Sequence, residues 1–245
     1  MNYQIKQALQ TGKALKVISG LNNYDQQKVA MIVQAAQAGG ATYVDIAAQE
    51  DLVRFVRNLI QLPICVSAVD PIKLFQAVKA GADLVEIGNF DCFYQQGRTF
   101  SADEVLELTR ETRKMLPETT LSVTVPHILP LDEQVQLAQS LVENGADIIQ
   151  TEGGTSSQPT HAGILGLIEK AAPTLAAAYA ISKAVSVPVL CASGLSEVTV
   201  GLAIASGASG VGVGSAINRL NDPIAMIAAV RGLVEALKNS QVSRI

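Results

Sequence analysis

A few polar residues interrupt otherwise apolar runs, and these are the ones able to do chemistry. They are Lys16 in ALKVIS, Asp45 in TYVDIA, Glu86 in DLVEIG, Gln150 and Glu152 in DIIQTE, and His127 in VTVPHILP. A lysine withdrawn from water can shed its proton near neutral pH, and carboxylates beside it can relay that proton. Lys16, Asp45, Glu86, Gln150 and Glu152 are therefore a candidate proton-transfer or Schiff-base set. The same residues serve equally as an ion-pair network filling the interior, and both readings stand at this point. His127 and His161 are candidate general acids or bases. Set against that, His127 reads equally as a loop histidine bonded to nearby backbone, and His161, in a Gly/Ser/Thr-rich stretch, as a surface residue. Two histidines and scattered carboxylates lack metal-ligand spacing, so no metal site is expected; a magnesium ion on Asp45 and Glu86 is left open, with nothing in the sequence to support it.

The elements that must position these groups follow one alternation. Short apolar runs bounded by turn residues fall at 14–19, 42–47, 63–68, 83–88, 120–125, 147–151, 188–193 and 209–214. Helix-period segments follow each, at about 24–38, 49–60, 71–80, 102–115, 132–144, 164–184, 196–206 and 223–238. Ser101 and Glu104 have capping-box spacing, and Asp132 is placed to cap the fifth of these helices. Eight strand–helix units with right-handed crossovers close into a (β/α)8 TIM barrel, an α/β fold. A short helix at 2–10, ended by Gly12, would close the barrel floor. No linker composition appears, so residues 1–245 read as one barrel domain.

An internal repeat fixes which residues face the same way. GGATYVDIA, GADLVEIG, GADIIQTE and GASGVGVG align Asp45, Glu86, Gln150 and Gly212 at one level, with Ala47, Gly88, Glu152 and Gly214 one pleat higher. The alternate residues, such as Val44, Ile46, Val85, Ile87, Ile149, Val211 and Val213, suit the helix-facing side, so both levels point inward. Lys16 is then set against Asp45 and Glu86 with Gln150 bridging. Gly210 and Gly212 read as room for those long side chains. The facing of Cys65, Ser67, Ser122, Thr124 and Cys191 stays open.

ASGLSEV and VGVGSAIN end the last two strands with glycine turns that lead into helices. Backbone N–H groups and helix N-termini at such turns favour anions, and the loops after strands seven and eight often hold phosphate in this fold. Ser193, Gly194, Ser196, Gly212, Gly214 and Ser215 are accordingly assigned to a phosphate; the plainer alternative is that the glycines only permit tight turns. The stretches 89–100 and 152–163 are long enough to be lids, with Asn89, Asp91, Tyr94 and Arg98 available to a bound molecule. Phe90, Phe93 and Phe100 would pack over the rim or against a second subunit.

Composition narrows the partners. With 49% hydrophobic residues, 4% aromatics and no Trp, the core is aliphatic and suits buried parallel strands. A formal charge of −4 without a basic stripe makes nucleic acid an unexpected partner. A polar start and no apolar run of about 18 residues predict neither a signal peptide nor a membrane span. Cys65, Cys92 and Cys191 read as free thiols of a reducing, cytoplasmic compartment.

ASGLS and GASGVGVGSA resemble the phosphate-binding quarter of the ribulose-phosphate-binding and aldolase-type TIM barrels. VEIGNFDCFY, LSVTVPHILPLD, IIQTEGG and GVGVGSAIN together resemble a family of cyanobacterial proteins and plastid hypothetical reading frames. That resemblance implies a TIM barrel in a cytoplasmic or stromal setting and no particular reaction. GADIIQTEGG, His161-Ala162-Gly163 and PVLCASGLS are similar to the layout of flavin-dependent nitronate monooxygenases, which implies FMN as cofactor and a catalytic role for His161. Three function classes follow: an isomerase, lyase or synthase on a small phosphorylated metabolite; an FMN oxidoreductase; and a non-catalytic phospho-ligand binding protein. A homo-oligomer is left open.

Overall fold

The computed structural model describes residues 1–94, 96–153 and 157–240. After helix α1 (Tyr3–Gln10), strands and helices alternate as β1 (Ala14–Gly20), α2 (Gln26–Gly39), β2 (Tyr43–Ala47), α3 (Glu50–Arg57), β3 (Ile64–Ala68), α4 (Pro71–Lys79) and β4 (Leu84–Ile87). The second half runs α5 (Asp91–Tyr94), α6 (Ala102–Met115), β5 (Thr120–Thr124), α7 (Leu131–Glu143), β6 (Ile148–Gln150), α8 (Gly163–Ser182), β7 (Val189–Ala192), α9 (Val200–Ala205), β8 (Gly210–Val213), α10 (Ser215–Asn218) and α11 (Pro223–Asn239). The eight strands are parallel and close in sequence order, β1 pairing with both β2 and β8. This is a TIM barrel. The two single-turn helices, α5 and α10, are additions to the expected alternation, and both lie at the C-terminal mouth.

Local chemistry explains most boundaries. Asp25, Asp70 and Asp222 accept from the first amides of α2, α4 and α11, and proline opens the latter two helices. Ser101 accepts from Glu104 N at 3.2 Å. Asp132 does not cap α7: the helix starts one residue earlier behind Pro130, and Asp132 lies within its first turn, where its charge still opposes the helix dipole. Gly40, Gly81, Gly145 and Gly207 all take positive φ where a helix turns into an even strand, as the repeated preface requires.

Strand parity separates two cores. Val44, Ile46, Val85, Ile87, Ile149, Val211 and Val213 pack outward under the helices. Inside, Ile5 and Leu9 of α1 pack on Ala14, Tyr43, Cys65, Leu84, Ile148 and Leu190, so α1 closes the barrel floor. Cys191 faces outward, bonded to Thr174. The most apolar long helix, α8, is the one described helix of a length and composition that could cross a membrane; here it packs against α7 and β7 in the outer layer. Phe90 and Phe100 are buried and stack at 4.5 Å, and Phe93 meets Phe100 edge-on, so the phenylalanines pack within this chain.

The two barrel glycines of β8 do different things. A Cβ on Gly212 would lie 3.4 Å from Lys16 Cε and closer to Ala192 and Ile18. A Cβ on Gly210 would meet Ala14 Cβ and the Ala14 carbonyl at 2.6 and 2.7 Å, so its space belongs to the floor and not to the lysine. Both alanine substitutions overpack the barrel at a cost of roughly 1–3 kcal/mol. The loss is expected to be larger for Gly210→Ala, where backbone must move, and urea melts of the two variants check the order.

Candidate active site

Two polar tiers fill the upper barrel. In the lower tier Lys16 Nζ lies 2.6 Å from Glu86 Oε2 and 3.8 Å from Asp45 Oδ2, with all three side chains sealed from solvent. The even strands deliver the carboxylates and the odd strands deliver hydroxyls to them. Ser67 Oγ donates to Asp45 Oδ1 at 2.6 Å and Ser122 Oγ to Glu86 Oε2 at 2.9 Å. Gln150 Nε2 bridges Glu86 Oε1 at 2.7 Å and Thr124 Oγ1 at 3.1 Å. Gly88 leaves the room Thr124 needs, since a Cβ there would sit 2.1 Å from Thr124 Oγ1. Asn89, at φ 60°, roofs the tier and reaches both Asp45 and Glu86 at 3.3 Å.

Charge in this tier is unbalanced, one ammonium facing two carboxylates. Burial works against the lysine's charge, but Glu86 and then Asp45 outweigh it and hold the ammonium above its ordinary range. The ion pairing thus favours the charged lysine and works against the free amine that a Schiff base needs. Asp45 takes the excess. Burial, reinforced by Glu86 and only partly offset by Lys16, pushes its carboxyl up to about 6.

The upper tier is built on Glu152, which is almost fully buried. Its Oε1 accepts from Tyr94 O–H at 2.6 Å and from the His127 backbone N–H at 3.2 Å, and His127 Nδ1 lies 3.2 Å away. Its Oε2 accepts from Asp91 N at 3.3 Å. Asp91 Oδ1 is 3.4 Å from His127 Nδ1, and Asp91 Oδ2 accepts from Ser193 Oγ at 2.7 Å. Burial raises the Glu152 pKa, opposed by the His127 and Tyr94 bonds. Burial also disfavours charged His127, yet Glu152 and Asp91 prevail and raise its pKa.

A cavity of about 620 Å³ opens above these tiers. Its lining brings together Asn89, Asp91, Gln150 and Glu152 from the ends of β4 and β6, the turns Ser193-Gly194 and Gly214-Ser215 after β7 and β8, Gly212 within β8, and the cations Lys170 and Arg219. Lys16, Asp45, Glu86 and His127 lie behind the lining and touch the cavity through Asn89, Gln150, Asp91 and Glu152. Ser196 stands apart from it. Its amide donates to Thr199 Oγ1 at 2.9 Å, and α9 begins only at Val200. With α9 displaced and α10 a single turn, helix dipoles supply less positive field here than the spacing implied, and Lys170 and Arg219 supply more. His161 bonds Glu169 on the surface, outside the cavity lining. Arg98 packs on Phe93 and Phe100 and pairs with Glu104. Of the two predicted lids, 89–100 contains α5, whereas Gly154, Thr155 and Ser156 fall outside the described residues.

Lys170 and Arg219 were missed because each lies on a helical turn that carries no turn signature. Asp91 was seen only as a loop donor, since its partners are 36, 61 and 102 residues away. Its one local signal is position, four residues beyond the end of a barrel strand.

Fold and cavity define a TIM barrel with a polar, ligand-sized site at the C-terminal mouth. The chain belongs to the family described as "Protein of unknown function (DUF561)", which matches residues 1–243. It is 43% identical over 226 residues to "Uncharacterized protein ycf23" of Pyropia yezoensis, covering 92% of this chain and 83% of that one. Among solved structures it resembles thiamine phosphate pyrophosphorylase from Pyrococcus furiosus, with a TM-score of 0.62 at 19% identity, covering 95% and 98% of the two chains. It also resembles (S)-3-O-geranylgeranylglyceryl phosphate synthase from Thermoplasma acidophilum in complex with its substrate sn-glycerol-1-phosphate, with a TM-score of 0.63 at 12% identity, covering 97% and 99%. These two likenesses establish the fold.

The lower tier makes stability depend on pH with a defined sign. A carboxyl whose pKa rises from 3.8 to about 6 on folding binds a proton in the native state that the unfolded chain releases. Its contribution is therefore full at low pH and is lost as pH rises through that window. Asp45→Asn should gain stability over the native chain at about pH 8 relative to about pH 5, by an amount on the order of 1–3 kcal/mol. Urea melts of both proteins at the two pH values measure it; equal differences at both would refute the excess-charge account.

Proposed function

We propose that this barrel binds a small phosphorylated metabolite at its mouth and acts on it as an isomerase, lyase or synthase. The observation that carries this reading is the cavity's mixed lining. Gly194 and Gly214 let a ligand approach the backbone closely and Lys170 and Arg219 offer cations, groups suited to a phosphate. The same cavity is lined by Glu152, with His127 behind it, linked by hydrogen bonds and thus able to pass a proton to or from another part of the ligand. Lys16, Asp45 and Glu86 are positioning residues in this scheme: they fix Gln150 and Asn89 beneath the ligand. Ser193, Gly212 and Ser215 complete the phosphate end. The two solved structures support the reading, one being a thiamine phosphate pyrophosphorylase and the other a synthase holding its substrate sn-glycerol-1-phosphate. A cytoplasmic setting, or a stromal one in a plastid, goes with it.

Inorganic phosphate should raise the melting temperature by mass action, by the equivalent of about 2.7 kcal/mol at a hundredfold excess over its Kd. Lys170→Ala and Arg219→Ala, on side chains that carry no core packing, should each weaken phosphate binding roughly two- to fivefold without changing the unliganded melt. Gly214→Val should abolish the increment. Identical phosphate responses in all four proteins would remove the phosphate from these groups. FMN, the other phosphate-bearing candidate, is separated by its visible absorbance in the purified protein.

A further inference from the structure

We infer that Asp91, His127 and Glu152 form a binding site for one divalent first-row transition cation, Mn²⁺ or Zn²⁺, at the inner wall of the cavity. One ligand atom from each residue lies within 4.8 Å of the other two. The two edges at His127 Nδ1, 3.2 Å to Glu152 Oε1 and 3.4 Å to Asp91 Oδ1, match the spacing of neighbouring ligand atoms in a coordination shell. A cation with ligands at about 2.0–2.2 Å holds adjacent ligand atoms about 3.0–3.5 Å apart.

Three further features fit a metal better than a purely structural cluster. Both carboxylates are held from outside the set, Glu152 by Tyr94 O–H and Asp91 by Ser193 O–H, the kind of outer bonding that orients metal ligands. Ligand count is three, and Asp91 and Glu152 both line the cavity, so remaining coordination positions open toward an incoming molecule. Finally, Gln150 Oε1 is buried and has no hydrogen-bond partner among the described residues. Gln150 lines the same cavity two residues before Glu152 on β6, and such an acceptor calls for a donor supplied by a ligand, as a metal-bound water is. One imidazole with two carboxylates selects Mn²⁺ or Zn²⁺ over Mg²⁺, which prefers oxygen ligands and retains its waters. A cation here would also offset the negative charge that faces the proposed phosphate. Only this last point rests on the function proposed above.

The test uses the whole chain, stripped with a chelator and free of phosphate, so its result is independent of the phosphate experiment. Titration with Mn²⁺, followed by loss of the free-ion paramagnetic resonance signal, and with Zn²⁺, followed by calorimetry, should each show one equivalent bound. Mg²⁺ should bind at least tenfold more weakly. Spin-echo modulation of the Mn²⁺ complex should report one directly coordinated imidazole nitrogen. Asp91→Asn and His127→Ala should weaken binding at least tenfold, and Tyr94→Phe, which removes an outer bond only, by about tenfold. His161→Ala, on the surface, should leave it unchanged. The proposal is overturned if the native chain binds no stoichiometric Mn²⁺ or Zn²⁺, if no nitrogen coupling appears, or if Asp91→Asn binds as tightly as the native chain. The nitrogen coupling is read on the native protein and so does not depend on any variant folding.

Discussion

One buried ammonium holds the polar interior of this barrel together. Lys16 enters from β1, and the polar groups of its tier come from five other strands, β2 to β6, which would otherwise bring two carboxylates into a space closed to water. Taking such charges out of water costs several kcal/mol per ion, and a single partner removed would leave the rest uncompensated. The tier is arranged accordingly. Glu86 is long enough to reach the lysine directly at 2.6 Å, while the shorter Asp45 stops at 3.8 Å and leans on Ser67 and Asn89. The difference in reach is why the two carboxylates divide the work, Glu86 as the direct counter-ion and Asp45 as the one whose carboxyl is pushed up toward protonation.

The space for that arrangement is made by glycines at positions facing the barrel interior. At the level where β2, β4 and β6 place Asp45, Glu86 and Gln150, β8 places Gly212, next to the stem of Lys16. One pleat higher, β4 places Gly88, whose empty side is filled by Thr124, the residue that shares Gln150 with Glu86. Glycine is costly in a strand, at about 0.5–1 kcal/mol each. Here the missing side chains are what allow a lysine, a glutamate and a glutamine to lie across the barrel in one plane.

How much of this was legible in sequence depended on whether the cause was periodic. Alternation of strands and helices, the repeated Gly-Ala preface and the inward stacking of Asp45, Glu86, Gln150 and Glu152 all follow from strand parity, which a single sequence displays. Features set by contacts across the mouth were not. Asp91 lies on a single-turn helix outside the eight-unit period, and its meeting with His127, Glu152 and Ser193 is decided by how β4, β5, β6 and β7 end relative to one another. Ser196 carried the right residue type in the right loop, but Thr199 captured its amide and delayed the helix. The hydroxyls of Ser67, Ser122 and Thr124 could not be oriented until the carboxylates they serve were placed. Nor does a sequence reveal net charge in a buried tier, so the choice between a neutral and a charged Lys16 waited on the count of its neighbours.

The acidic cluster and the glycine turn after β7 are not independent, because α5 connects them. Asp91 gives its backbone amide to Glu152 and takes the hydroxyl of Ser193, so the acidic cluster and the glycine turn after β7 share one residue. Ser193 is held at φ 73°, a left-handed conformation that a residue with a Cβ seldom adopts, and its neighbour Gly194 continues it at φ 74°. Strain of this kind persists where the surroundings over-determine it, and the bond to Asp91 is one such constraint. Any change at Asp91, whether a proton or a cation gained or a carboxylate turned, therefore acts on the Ser193-Gly194 backbone that also lines the cavity. A ligand bridging the cavity would meet two surfaces already set against each other through a single side chain, which couples what binds at one end to the geometry offered at the other.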